Sequence, residues 1–157
     1  PDTAEAVLRS GMDDYLDVIK KAEALSEFRL RPDFDDLALS FRRVGNILED
    51  FHTDSVDELL FSEEHERELW KAFNERRERV ERLAEGRKYA EALEVMAGLK
   101  PAVDDFFDHV LVNDPDDPKR RANRHSMLYA IHKMFLTVAD FGAVARPGTR
   151  KRPGEEP

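Results

Sequence analysis

Phe34-Asp35-Asp36-Leu37-Ala38-Leu39-Ser40-Phe41-Arg42-Arg43-Val44-Gly45-Asn46-Ile47-Leu48-Glu49-Asp50-Phe51 is the stretch whose reading decides the fold. Its apolar positions, Phe34, Leu37, Phe41, Val44, Ile47, Leu48 and Phe51, recur at steps of three and four, the period of one buried helical face. The other face is left to Arg42, Arg43 and Asn46. The segment predicts a helix from about Phe34 to Asp50. Arg31-Pro32 separates it from an earlier helix over about Asp13 to Phe28, because the residue before proline avoids the α region.

The same period continues outward from this segment. Ser55-Val56-Asp57-Glu58 has the form of a capping box for a short turn, and Ser62 is placed to cap a longer helix with Leu69, Trp70, Phe73, Val80 and Leu83 inward and Glu85-Gly86 at its end. Its many charges, from Glu75 to Arg82, read as a solvated outer face. Tyr89 opens a helix that closes at Gly98. Pro101 then suits the start of another, with Val103, Phe106, Phe107, Val110 and Leu111 as core and Asp104, Asp105 and Asp108 opposite. These acids could pass for a carboxylate cluster, yet acids in first turns also complement the helix dipole. Asp117 is a natural cap and Pro118 a first position for a final long helix that turns Leu128, Ile131, Phe135 and Val138 inward and breaks near Arg146-Pro147-Gly148. No strand-forming block exceeds Val110-Leu111-Val112. The expected fold is all-α, an antiparallel helical bundle with short connections. Residues 1–30 form a lead-in from a preceding region or a first bundle helix, 31–145 the bundle, and 146–157 a flexible tail.

With 157 residues, 41% of them hydrophobic and 38% charged, the chain suits one globular domain. Its 7 glycines and 8 prolines favour long helices over many turns. The absence of cysteine removes disulfides, thiolate zinc sites and cysteine nucleophiles, and favours a reducing cytoplasm. No apolar run has the length of a membrane span, and Pro1-Asp2-Thr3-Ala4-Glu5 is unlike a signal peptide, so no membrane partner is expected. A chain opening on Pro1 without methionine is expected to be part of something longer.

A net charge of −9 argues at first against a polyanionic partner. The average hides a polarity. Residues 117–157 hold nine Lys or Arg against four acids, a balance of +5, so the first 116 carry −14. One basic face on an acidic body can bind a polyanion, although two solvated faces of differing sign would look the same.

Two basic, asparagine-bearing segments carry the chemistry. The first is Phe41-Arg42-Arg43-Val44-Gly45-Asn46-Ile47-Leu48 and the second Lys119-Arg120-Arg121-Ala122-Asn123-Arg124-His125. Arg120 and Arg124, four apart, share a side of a helix near its N-terminus, where backbone amides also favour an anion. Asparagine offers a donor and an acceptor to a base edge, and arginine stacks on an unpaired base or forks onto phosphate. Such a mixture reads single-stranded loops. On the residues alone, an arginine cluster bridging to the acidic N-terminal part explains the pattern equally well. The five histidines, His52, His65, His109, His125 and His132, lack a ligand pattern, although His125 and His132 share a face; no metal is expected. Phosphate-loop, dinucleotide and nucleophile-elbow motifs are missing, so no catalytic residue is expected either.

At these residues a resemblance enters. Phe41-Arg42-Arg43-Val44-Gly45-Asn46-Ile47 resembles the phenylalanine-lysine-arginine-valine-x-asparagine-isoleucine segment of bacterial glycyl-tRNA synthetase beta subunits. Tyr89-Ala90-Glu91-Ala92-Leu93, the run from Pro101 to Val112, Arg121-Ala122-Asn123-Arg124 and Phe135-Leu136-Thr137-Val138-Ala139-Asp140-Phe141 are similar to further blocks of that family, in order, across roughly residues 13 to 143. His125 and Ser126 depart from it, standing where the family has leucine and a small or apolar residue, as does the turn Asn113–Pro118. The resemblance implies a DALR-like anticodon-binding domain that recognises the cytosines of the glycine anticodon, with tRNA(Gly) as partner and no DNA. It also implies a catalytic alpha subunit that holds ATP and glycine, no cofactor in this part, and a cytoplasmic protein. Arg43, Asn46, Arg121, Asn123 and Arg124 match the family's polar positions; Arg42 and Arg120 join them on the charge argument. Each also has a reading as a tie between helices. The alternative function is a helical protein-interaction or subunit-assembly module without RNA selectivity.

Overall fold

The computed structural model describes residues 2–48, 51, 53 and 55–141, with side chains from residue 14 onward. Six α-helices stand among these residues: α1 (Asp2–Phe28), α2 (Phe34–Asn46), α3 (Glu64–Glu85), α4 (Tyr89–Ala97), α5 (Lys100–His109) and α6 (Pro118–Leu136). A 3-10 turn, Glu58–Leu60, lies between α2 and α3. No strand occurs among the described residues. The expected all-α bundle is what the chain forms.

α1 packs on α4, while α3 packs on α4, α5 and α6, and α2 on α5 and α6. α2 and α6 run antiparallel. Phe41 stacks on Phe135 with ring centroids 4.3 Å apart, a β-carbon at Gly45 would lie 3.0 Å from His132 Cε1, and Phe51 meets His125 edge-on at 5.3 Å. The three contacts advance along α2 and the chain just beyond it as they descend α6. Around this pair Leu37, Phe41, Leu69, Phe73, Leu93, Met96, Leu99, Phe106, Met127, Leu128, Ile131 and Phe135 are fully buried. Each such side chain contributes roughly 1.5–3 kcal/mol by leaving water.

Several boundaries differ from expectation for local reasons. α1 starts at Asp2 rather than near Asp13, and α2 ends at Asn46 rather than Asp50. The short turn is capped by Asp57, whose carboxylate accepts from Leu59 N at 2.9 Å, and not by Ser55. α3 is capped by a reciprocal box between Glu63 and Glu66, one residue beyond Ser62. Gly86 closes α3 as expected, yet the left-handed residue is Arg87 (φ 56°), with Lys88 N on Leu83 O (2.8 Å) and Arg87 N on Ala84 O (3.0 Å). Those two bonds satisfy the last carbonyls of the helix and hold arginine where glycine is usual. Leu111, assigned to the core, is 65% exposed because α5 stops at His109 and the extended chain buries Val110 and Val112 instead. Asp117 caps α6 with Pro118 in its first turn, as expected, but α6 ends at Leu136. The expected break at Arg146-Pro147-Gly148 and the tail from 146 to 157 lie outside the described residues.

α6 differs from the other helices in being enclosed. Asn123, Arg124, His125, Ser126, Met127 and Leu128 are six consecutive buried residues, which no helix lying on a surface can show. A helix wrapped all round loses the one-sided stripe that marks its neighbours.

Candidate nucleic-acid interface

The enclosure of α6 divides its basic segment. Asp117 Oδ1 accepts from Arg120 N at 3.1 Å and starts the helix in a direction that leaves Lys119, Arg120 and Arg121 in solvent. One turn later the chain enters the core. Asn123 Oδ1 accepts from Asp57 N at 2.7 Å while its Nδ2 donates to Asp57 O at 2.9 Å, so this side chain acts as a backbone partner for the 3-10 turn. Both ends of the amide are used within the protein.

Arg124 is used more fully still. Its Nε donates to Glu66 Oε1 at 2.8 Å, Nη1 to Leu111 O at 2.6 Å and Nη2 to Ser62 Oγ at 3.2 Å. Glu66 is 0% exposed and its second oxygen accepts from Ser62 N (2.9 Å) and Glu63 N (2.8 Å), the amides that lead into α3. A buried carboxylate thus carries a guanidinium and a helix cap together, which is how a charge pair survives removal from water. Arg120 and Arg124 therefore do not face one anion together. Arg120 instead pairs with Asp117 at 3.2 Å, and Arg121 makes no ion pair among the described residues.

The α2 segment divides the other way. Arg42 is buried, with Nε directed at Phe141 O at 3.4 Å, and so ties α2 to the chain beyond α6. Arg43 is exposed and its guanidinium lies 4.4 Å above the centre of the Phe107 ring, a cation–π contact that holds the charge at the junction of α2 with α5. Asn46 is exposed, and its amide has no hydrogen bond among the described residues. The four expected residues in solvent are thus Arg43, Asn46, Arg120 and Arg121; Arg42, Asn123 and Arg124 are buried. Since α2 and α6 are antiparallel and Gly45 meets His132, the cations of the first turn of α6 lie about 17 Å along the helix from the Asn46 end of α2. A single-stranded segment of several nucleotides is needed to touch both groups.

Sequence reasoning missed Phe107 as the platform for Arg43, and it counted Lys119 only as charge. It also missed His132. That ring is half-buried against Gly45, and burial pushes its pKa below the usual imidazole value, with Asp140 opposing weakly. Of the other histidines, His65 and His109 stack at 4.1 Å, and His125 Nε2 lies 2.7 Å from Asn113 Oδ1. No cluster of His, Asp and Glu suited to a metal occurs among the described residues. No helix among them is long and apolar enough to cross a membrane.

Arg43 and Asn46 of α2 and Lys119, Arg120 and Arg121 of α6 are thus the exposed members of the two basic segments. The family model of the DALR anticodon binding domain matches residues 38–140, from early in α2 to just past α6, and the chain belongs to that family. Its curated relatives narrow the likeness. It is 38% identical over 143 residues to the glycine–tRNA ligase beta subunit of Syntrophus aciditrophicus, covering 91% of this chain and 21% of that protein. It is 40% identical over 141 residues to that of Geotalea daltonii (90% and 20%) and 40% identical over 147 residues to that of Myxococcus xanthus (91% and 21%). The chain thus spans about a fifth of the length of these relatives.

Proposed function

We propose that this chain is the tRNA(Gly) anticodon-binding part of a glycine–tRNA ligase beta subunit, and that it contributes binding rather than chemistry to the charging of tRNA with glycine. The observation that carries the reading is the likeness to such beta subunits across nine-tenths of the chain, including both basic segments. Arg43, Arg120 and Arg121, with Lys119 beside them, supply cations to backbone phosphates, and Asn46 supplies a base-edge contact. Arg42, Asn123 and Arg124 hold the frame that presents them. The reading implies an alpha subunit that binds ATP and glycine as the catalytic partner, no cofactor in this part, and a cytoplasmic enzyme. On this reading residues 31–145 carry the anticodon-binding bundle, and residues 1–30 are either a lead-in from a preceding region or the first bundle helix, the second favoured by the packing of α1 on α4.

Gel shift of the chain with a glycine tRNA, and with the same tRNA altered at its anticodon cytosines, tests this reading. Tighter binding to the unaltered tRNA, weakening steeply with added salt, is the expected result. Equal binding to both, or binding indifferent to salt, overturns it. A pull-down that recovers a protein partner with no tRNA preference favours the assembly reading instead.

A further inference from the structure

The exposed end of α2 opens onto a cavity of about 180 Å³, walled by Phe41, Arg42, Gly45 and Asn46 of α2, His132 and Phe135 of α6, and Ala139, Asp140 and Phe141. It is smaller and more enclosed than the groove of about 580 Å³ between α3 and α6. Its floor is aromatic. Phe41, Phe135 and Phe141 pack on one another at centroid distances of 4.3, 5.2 and 5.9 Å, so their positions are fixed before anything enters. The mouth is polar, and Asn46 stands there with an amide that makes no hydrogen bond among the described residues.

We infer that this cavity receives one unstacked nucleobase of the bound RNA, with Asn46 pairing to its edge and His132 lining the side of its ring. The inference rests on the tRNA-binding reading and assigns one loop base to one place on the protein. Three features select a base over other guests. A flat, uncharged heterocycle suits an aromatic floor, whereas a phosphate or a carboxylate would meet the Asp140 carboxylate in the wall as well as Arg42, whose Nε is already directed at Phe141 O. Base edges present a donor beside an acceptor, the pattern that a carboxamide completes. Arg43, one turn from the mouth on the same helix, is exposed and available to the phosphate that follows the inserted base.

Gly45 is what leaves the cavity open. A β-carbon there would stand 3.0 Å from His132 Cε1 and 3.2 Å from His132 Nδ1, so any side chain must displace the imidazole or occupy the space. The imidazole itself is kept neutral more readily than a free one, since burial lowers its pKa. A neutral ring in the wall offers one donor and one acceptor and does not repel an uncharged base.

An abasic scan tests the assignment. The chain is titrated with the anticodon stem-loop of a glycine tRNA, intact and with each loop base removed in turn, and the scan is repeated for Asn46→Ala and Gly45→Val. Removing the inserted base is expected to weaken binding by the wild type about tenfold. For Gly45→Val the same removal costs little, because the cavity is already filled, and for Asn46→Ala it costs clearly less than in the wild type, because the edge contact is already lost, while the cost at the remaining loop positions is unchanged. If both variants repeat the wild-type pattern at every position, the cavity holds no base and the inference fails while the tRNA-binding reading stands. If the wild type does not bind the stem-loop at all, both fall together. Should Gly45→Val lose its helical circular dichroism, Asn46→Ala, which lies on the surface, decides the matter alone.

Discussion

The two arginine–asparagine segments are alike in composition and unlike in use. On α2, Arg43 and Asn46 face water while Arg42 turns inward; on α6, Arg120 and Arg121 face water while Asn123 and Arg124 are sealed within the bundle. The difference lies in the helices. α2 has neighbours on one side only, so its polar face stays wet, whereas the second turn of α6 is ringed by α2, α3, the 3-10 turn and the chain at Leu111. An arginine or asparagine therefore has no fixed meaning in such a motif. Burial decides whether its donors serve the ligand or the fold.

The largest effect should follow from the most enclosed of these residues. Arg124→Ala strands the fully buried Glu66, so a loss of roughly 3–5 kcal/mol is expected, a large share of a domain's total stability. Urea unfolding followed by circular dichroism measures it. A double variant, Arg124→Met with Glu66→Gln, should regain part of the loss, since it removes the orphaned charge along with its partner. A loss below about 1 kcal/mol for Arg124→Ala would be the size of an exposed pair and would place this residue with the surface group.

Asn123→Ala comes next. It leaves Asp57 N without its partner and takes from Asp57 O one of two donors, Leu60 N remaining at 3.1 Å, an expected cost of about 1–3 kcal/mol. The effect should be local as well as global, with faster hydrogen exchange at the Asp57 amide than at the amides of α3. Protection at Asp57 equal to that of the wild type would contradict the clamp.

Why the sequence shows α2 so well and α6 so poorly follows from the same contrast. The three- and four-residue steps from Phe34 to Leu48 exist because one side of α2 meets the core and the other meets water, and the helix was legible for that reason. The caps Asp117 and Pro118 were legible too, being local chemistry. Asn123, Arg124 and His125 read as a surface run because their partners, Asp57, Glu66, Ser62 and Asn113, stand 12 to 66 residues away. Nothing in a short window reveals such pairing. Gly45 was hidden similarly, since its use depends on His132, 87 positions later. A trace of the truth was present. Met127, Leu128, Ile131 and Phe135 follow the polar run directly on the same helix, with no acidic residue from Pro118 to Val138 to solvate a face.

His132 offers a smaller effect that also separates the two helices. Its folded pKa lies below the ordinary 6.5 because burial disfavours the cation, so the unfolded chain takes up the proton first. Stability should be fully present above that value, fall as pH drops through 6.5 toward the depressed folded pKa, and then level off. Urea midpoints measured on either side of this window check the sign. His132→Asn should flatten the dependence there, and a wild type that gains stability on acidification would reverse the assignment.

The smallest effect on stability should come from the first turn of α6, and it is the most telling for function. Arg121 is exposed and without an ion pair among the described residues, so Arg121→Ala should leave the urea midpoint within about 0.5 kcal/mol of wild type. The same change should weaken binding to glycine tRNA and lower the slope of log affinity against log salt by about one, as expected when one phosphate contact is removed. Arg120→Ala should do less, because Arg120 already shares its charge with Asp117 at 3.2 Å. Arg124→Lys completes the series from inside the bundle. It keeps the charge but cannot reach Glu66, Leu111 and Ser62 at once, so it should cost stability while the folded fraction retains the wild-type salt slope. If Arg124→Lys lowers the slope as Arg121→Ala does, the buried guanidinium reaches phosphate after all, and the division between frame and face drawn along α6 is wrong.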